Sequence, residues 1–317
     1  METKQMYIAD VNAVFGNKEE PLIKHIDDIV IPALTSGLVH DSTEKTKYFF
    51  EDVEIRCFGE QYVLSGILIK DTVLEIKSEY TSDLGLKKTN KRIKSAPYSL
   101  FMIYLCNHRM ILVKNQDGSP DIRGFSAAFK KIVTKYVRNY NDRIRKNEED
   151  KEYLPSIRMN VAGIKTATNV KETLRDVKKI TEMTFSFYPL NSEWDYENVF
   201  GDIDSKIRKV VGSNKGKIVL PSPQNIEGVA QIIEETEGMV KTTLKVDYKE
   251  GTPNNKKKGT IKDNQISDVS NIDIEKDLDA AYDEIDAYKQ NIKSMQVKSK
   301  NNILDYEEFV KNKNCRC

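Results

Sequence analysis

From Ile122 to Ile144 an apolar residue returns every three or four positions, through Phe125, Phe129, Ile132, Val133, Tyr136 and Tyr140. At about 100° per residue these side chains share one stripe of an α-helix, and such a stripe has to be covered by a core. Lys131, Lys135, Arg138 and Arg145 project from the opposite side, interrupted only by Asp142. Asp121 at the start and basic residues at the end both suit the helix dipole. A helix of this pattern rests on a core through one face and shows a basic ridge to solvent.

The ridge belongs to a wider asymmetry of charge. The chain is almost neutral, +1 from 50 Lys and Arg against 49 Asp and Glu. Yet the stretch from Lys87 to Lys146 holds fifteen basic residues and three acidic ones. Lys87, Lys88, Lys91, Arg92 and Lys94 cluster at its start, and Lys146 extends the ridge at its end. Compensating acid collects elsewhere, notably between Asp273 and Asp286. A neutral chain that segregates charge in this way offers a surface to a polyanion, most commonly nucleic acid; a merely solvated helix face is the competing reading. Contacts to phosphate would be independent of sequence and steeply weakened by salt. The nearby aromatics Tyr98, Phe101, Tyr104, Phe129, Tyr136 and Tyr140 coincide with apolar faces and read as core. The expected target is therefore duplex backbone, without a read sequence.

With 317 residues, 39% hydrophobic and 31% charged, the chain can form two domains. Gln5–Val11 reads as a strand, and Pro21–Val39 as a helix bent or ended by Pro32. FFEDVEIRCF, QYVLSGILI and TVLEIKSEY, between Tyr48 and Tyr80, read as an antiparallel meander. SLFMIYLC and MILVKN form a hairpin through Asn107-His108-Arg109, and Asp117–Pro120 turns the chain into the basic helix. An acid run at Glu148–Glu152 and Pro155 mark a boundary, so that 1–149 is a mixed antiparallel-sheet and basic-helix domain.

Residues 156–270 read as a second α+β domain, ferredoxin-like or related. Its strands are Ser156–Ile164, Thr181–Tyr188, Lys217–Leu220 and Val240–Tyr248; its helices are Val170–Lys179, Glu197–Val211 and Ile226–Glu235. Gly251–Lys262 reads as a mobile loop. Residues 271–297 form a last helix with a heptad seam, Ile274, Leu278, Ala281, Ile285, Tyr288, Ile292 and Met295. Leu278, Ile285, Tyr288 and Ile292 are the candidate dimer contact, with packing on the helix's own domain as the alternative. Residues 298–317 read as a polar tail ending in Cys315-Arg316-Cys317. The expected fold class is α+β in two domains.

The sequence carries no Walker A or Gly-x-Gly-x-x-Gly pattern, and His25, His40 and His108 lack a second histidine at metal-ligand spacing. No Ser or Cys has a nucleophile-elbow context. No cofactor, metal or small-molecule substrate is expected. Cys57 and Cys106 lie in strand-like runs and read as buried thiols, with no disulfide framework. No apolar run approaches the roughly 20 residues of a membrane span, and METKQMYIAD has no signal-peptide pattern. A cytoplasmic protein is expected. One catalytic alternative is a Mg²⁺-dependent nuclease with Asp52 or Asp71 as ligand beside Glu75, and Lys77 stabilising developing charge. Strand alternation explains Glu75-Ile76-Lys77 equally well. A protein–protein adaptor working through the C-terminal helix is the third reading.

Several features occur in a recognisable order. The hairpin SLFMIYLC…MILVKN leads through NQDGSPDIRGFSAAF into a helix; later SKIRKVV leads to KIVL and Pro221-Ser222-Pro223-Gln224. The amphipathic Ile226–Glu235 segment and VKTTLKVDY follow. This order, spanning most of the chain, resembles the RexA-like phage-exclusion proteins. The resemblance implies a homodimer that binds DNA without strong sequence preference, clamps duplex, and acts in abortive infection beside a membrane-protein partner. It implies no enzymatic activity. Pro221–Gln224 are the only residues it maps, in a structural role, and the heptads and Cys315-Arg316-Cys317 fall outside it.

Overall fold

Long runs of alternating or continuously apolar residues build a ten-stranded sheet in the computed structural model. The structure describes residues 2–59, 61–147, 151–188, 207–208, 210–213, 215–236, 238–250, 257–274, 277–290, 292, 295 and 300–313. Chain order gives β1 (Glu2–Phe15), β2 (Glu20–Pro21), β3 (His40–Thr43), β4 (Thr46–Phe58), β5 (Gln61–Thr81), β6 (Gly85–Ser95), β7 (Tyr98–Tyr104), β8 (Arg109–Lys114) and β9 (Ile157–Gly163). The tenth strand, β14 (Val269–Ile274), returns from the far end of the chain. The spatial order is β14-β1-β8-β7-β5-β4-β3, with β9 and β2 on β1 and β6 on β5.

Residues of opposite parity feed two cores. Val11, Phe15, Leu64, Phe101 and Leu112 face one side, where they meet Phe125, Phe129, Ile132 and Val133 of α2 (Ile122–Asn147). Met6, Val63, Met102, Tyr104 and Val113 face the other, against Ala281, Tyr282 and Ile285. Strands covered on both faces have no polar side, which is why SLFMIYLC and MILV read as unbroken apolar runs. On the α2 side the Phe50 ring meets Phe101, Phe125 and Phe129 edge-on, at centroid distances of 5.6, 5.8 and 6.1 Å.

The segment expected to be a helix from Pro21 to Val39 is broken up. Pro21 closes β2, a 3₁₀ turn and a π turn cover Leu22–Val30, and α1 is only Ile31–Leu34. Pro32 lacks the N–H for an i→i−4 bond, so α1 restarts around it in place of a bent continuous helix. The expected three-strand meander is also revised. QYVLSGILI and TVLEIKSEY form one 21-residue strand, β5, with Lys70 and Asp71 inside it. Its first half pairs with β4 and β7, and beyond Thr72 it pairs with β6 alone.

The boundary expected near Glu148–Glu152, partly outside the described residues, does not separate the sheets. Both β9 and β14 pair with β1, so residues 157–163 and 269–274 complete the large sheet. Between them a second antiparallel sheet forms from β10 (Val177–Phe187), β11 (Gly216–Pro221), β12 (Lys241–Tyr248) and β13 (Lys258–Lys262), in the order β11-β10-β12-β13. Its own core joins Val170, Phe185, Ile233 and Leu244, under α3 (Ala167–Thr173) and α4 (Ile226–Glu235). β13 comes from the segment that composition assigns to a loop, and as an edge strand it replaces the ferredoxin-like order. The α3 helix stops before Val177, where β10 begins; the expected helix at Glu197–Val211 lies mostly outside the described residues. Lys165, fully buried, joins the two sheets through Asp263 at 2.8 Å and a bond donated to the Val240 carbonyl at 3.4 Å.

The last helices also fold back. α5 (Leu278–Lys289) buries Ala281, Tyr282 and Ile285, and Leu278, Tyr288 and Ile292 pack against the same cluster. Residues 271–274, expected at the start of this helix, belong to β14, and the helix ends before Ile292, so the seam falls short of three heptads. The segment expected to be a polar tail forms α6 (Lys300–Asn312). Phe309 sets its ring edge-on to Tyr62 at 5.6 Å, and the Tyr306 hydroxyl accepts the Tyr62 N–H at 2.8 Å. Cys106 is a buried thiol, as expected, but Cys57 is exposed and disulfide-bonded. No described helix is long and apolar enough to cross a membrane.

Candidate nucleic-acid interface

The basic helix reaches solvent as its periodicity demands. Lys131, Arg138, Arg145 and Lys146 are exposed and Lys135 is half-buried, while eight apolar residues of α2 face the core. Arg145 pairs with Asp142 at 2.8 Å, so the one acid in the ridge is already engaged. Lys131, Lys135, Arg138 and Lys146 are in no ion pair with a described residue. Lys135 donates to the Val39 carbonyl at 3.5 Å. Burial, reinforced by the Lys131 ammonium and opposed by Asp41, holds His40 below the ordinary imidazole range.

The second cluster sits on β6, and the structure gives it a shape that composition does not. Beyond Thr72, β5 and β6 form a two-stranded arm. Lys87, Lys88 and Lys94 are exposed and, with Lys77, are in no ion pair with a described residue. Lys91 pairs with Glu79 at 2.6 Å, and Arg92 lies 3.5 Å from Glu75. Leu74 stands opposite Ile93 and Tyr80 opposite Leu86, so strand alternation gives one side of the arm apolar side chains. Tyr80 is 74% exposed and Leu86 75%, so the arm presents its apolar residues to solvent.

The fold joins the two clusters through a segment that sequence reasoning passed over. Lys135 and Lys131 approach Val39 and His40 at the start of β3. The turn into β4 carries Lys45, which pairs with Glu75 on the arm at 2.6 Å, and Lys47 is exposed beside it. Glu75 then links to Arg92, and a bond from Lys45 holds its carboxyl below the ordinary range, with Arg92 adding to the effect. A track that is basic at both ends therefore runs from α2 through the β3–β4 turn to the arm, its middle balanced by the exposed Asp41 and Glu44 and by the Lys45–Glu75 pair. No local pattern in the sequence marks Lys45 or Lys47, because only strand pairing brings them there.

The residues of the nuclease alternative are not brought together. Asp52 stands at φ 51°, where the β4–β5 ladder is irregular between Glu51 and Glu54. Glu51 pairs with Ile67, eight residues before Glu75 on the same extended strand, or roughly 26 Å away. Asp71 faces Lys47 in the ladder, four residues and roughly 13 Å from Glu75. Carboxylates so far apart cannot share one ion at coordination distances of about 2 Å. Lys77 and Glu75 are neighbours on the arm, and Glu75 is occupied by Lys45. Among the described residues no cluster of three His, Cys, Asp or Glu could hold a metal.

The candidate dimer contact is likewise spent within the chain. Ile285 is 1% exposed against the chain's own sheet, with Leu278, Tyr288 and Ile292 packed around it. Pro221–Gln224 form the turn from β11 into α4: Ser222 has φ 49°, its N–H bonds the Thr181 carbonyl, and Asn225 caps the helix. In comparisons with known proteins, no family model matches this chain and no curated protein matches it significantly.

Proposed function

We propose that this protein binds duplex DNA without sequence preference, laying the α2 ridge along phosphates while the β5–β6 arm enters a groove. The observation that carries the reading is the pair of basic clusters, Lys131 and Lys135 on α2 and Lys87, Lys88 and Lys94 on the arm, joined through the contacts of the β3–β4 turn. Most of these ammonium groups lack a carboxylate partner among the described residues, so their charge is available to phosphate. A two-stranded ribbon fits the width of a major groove, and its exposed Tyr80 and Leu86 are available for apolar contact there. The side chains that define the ridge are cations, and the Thr134 hydroxyl beside them is spent on the Lys130 carbonyl, which favours backbone contact. A role in phage exclusion, homodimerisation and a membrane-protein partner enter through the RexA-like resemblance alone.

The test is a gel shift on random duplex over a salt series, with and without Mg²⁺. A shift that fades with salt and leaves the duplex intact supports the reading. Replacing Lys131 and Lys135 with Ala should flatten the slope of log affinity against log salt by about 2. Absence of any shift at low salt would remove the DNA reading; Mg²⁺-dependent cleavage would return the nuclease.

A further inference from the structure

A second basic site lies on another flank of α2. Arg123 and Lys130 look across a cleft of about 450 Å³ at Arg158 on β9, Lys215 ahead of β11 and Lys241 at the start of β12. That volume falls within the roughly 300–1,000 Å³ of ordinary ligand pockets. Among the described residues no carboxylate lines it. Arg123 is paired with Asp121 at 3.3 Å and Arg158 lies 3.6 Å from Glu19, so those charges are partly met. Lys130, Lys215 and Lys241 are in no ion pair with a described residue. Burial lowers the Lys241 ammonium below the ordinary lysine range; Asp263 opposes this, and Lys165 and Lys130 reinforce it. Such crowding of positive charge is relieved by an anion.

A second, independent observation points to a ligand. Asn160 lines the same cleft, is 2% exposed, and has no hydrogen-bond partner for either side-chain amide atom. A buried unpaired polar group costs about 1–3 kcal/mol, a cost that a bound ligand meeting the Asn160 amide would recover. An amide supplies both donors and an acceptor, the complement of a base edge. Tyr188 also lines the cleft, its ring centroid 6.0 Å from the Lys241 ammonium, and offers a flat face to a planar ring.

We propose that this cleft binds a small phosphorylated ligand of nucleotide size, with its phosphates on Lys130, Lys215 and Lys241 and its ring beside Tyr188 and Asn160. This departs from the expectation that no small molecule is bound, and it shares no residue with the arm or the ridge. The two readings therefore stand or fall separately.

Isothermal titration of the full chain tests it, using nucleoside 5′-triphosphates, the matching nucleosides and inorganic phosphate. At least one triphosphate should bind, at least tenfold more tightly than its nucleoside and than inorganic phosphate. The K130E/K215E variant changes only exposed side chains, and it should weaken that binding at least tenfold. K131E/K135E on the ridge should leave it within twofold. Asn160→Leu removes the unpaired amide, so it should keep or raise the Tm while weakening nucleotide binding at least fivefold. Absence of binding by every triphosphate, or affinity unchanged in K130E/K215E, overturns the proposal. Duplex DNA that displaces the nucleotide, and whose own affinity K130E/K215E lowers as much as K131E/K135E does, also overturns it, because the cleft is then part of the DNA track.

Discussion

The two faces of the large sheet are covered by helices built on the same plan, with opposite charge on their outer sides. α2 lays Phe125, Phe129, Ile132 and Val133 on one face; α5 lays Ala281, Tyr282 and Ile285 on the other. Outward, α2 carries Lys131, Lys135 and Arg138, while α5 carries Asp279, Asp283 and Glu284. The acids on α5 are partly consumed by structure: Asp279 takes Arg56, and Asp286 takes Lys289 at 2.8 Å and the Tyr104 hydroxyl at 3.0 Å. Arg56 also stacks on Tyr282, 4.4 Å from the ring centroid. On α2 most cations have no such partner among the described residues. Apolar stripes decide where a helix sits, and the residues that avoid the core decide what it can meet. A chain of net charge +1 thus shows a basic face and an acidic one.

The sharpest way to break this arrangement is to remove what seats α2. Phe129→Ala deletes a fully buried ring from the Phe50 cluster and should cost about 3–5 kcal/mol in urea unfolding. A loss under about 1 kcal/mol would mean that this core does not hold the helix.

On the opposite face, Ile285→Ala should cost about 3 kcal/mol and leave the sedimentation coefficient unchanged. A shift in oligomeric state with stability intact would give the α5 seam back to a second subunit.

His108 asks whether the charge asymmetry stops at the surface. It is 1% exposed at the β7–β8 turn, with a pKa pushed down to about 4 by burial; a bond with Asn302 opposes this and Arg109 adds to it. The unfolded chain takes up the proton near pH 6.5, well before the folded one. Stability is therefore complete above about pH 6.5 and declines by about 3 kcal/mol in total as pH falls to about 4. His108→Asn tolerates the positive φ of 54° and should flatten this window. Unfolding curves that stay pH-independent between 6.5 and 4 in the parent would contradict the burial.

Charge reversal separates the faces with smaller effects. K131E/K135E should weaken duplex binding at least tenfold, about 1.4 kcal/mol, with stability within about 0.5 kcal/mol. Asp283→Lys, on the acidic side, should leave duplex affinity within twofold. Equal losses from both substitutions would show that net charge matters and location does not.

Much of this was legible along the chain. The 3.6-residue stripe of α2 placed its core side and its ridge, and the apolar runs marked β7 and β8 as a hairpin, whose burial on both faces came from the structure. The last helix was legible as well, but its partner was not: a heptad seam states that a surface must be covered and is silent on what covers it. Register is equally invisible. The track through Lys45 and the return of β9 and β14 to β1 depend on pairings between residues far apart in sequence. The Asn160 cleft draws its lining from Arg123 to Lys241, with no local motif. Period and composition are local properties, so the sequence alone determined strongly periodic elements such as α2, the side α2 buries and the segregation of charge. Which groups share a site is set by long-range strand pairing and packing, so only the tertiary structure decided the basic track, the self-packed seam and the cleft.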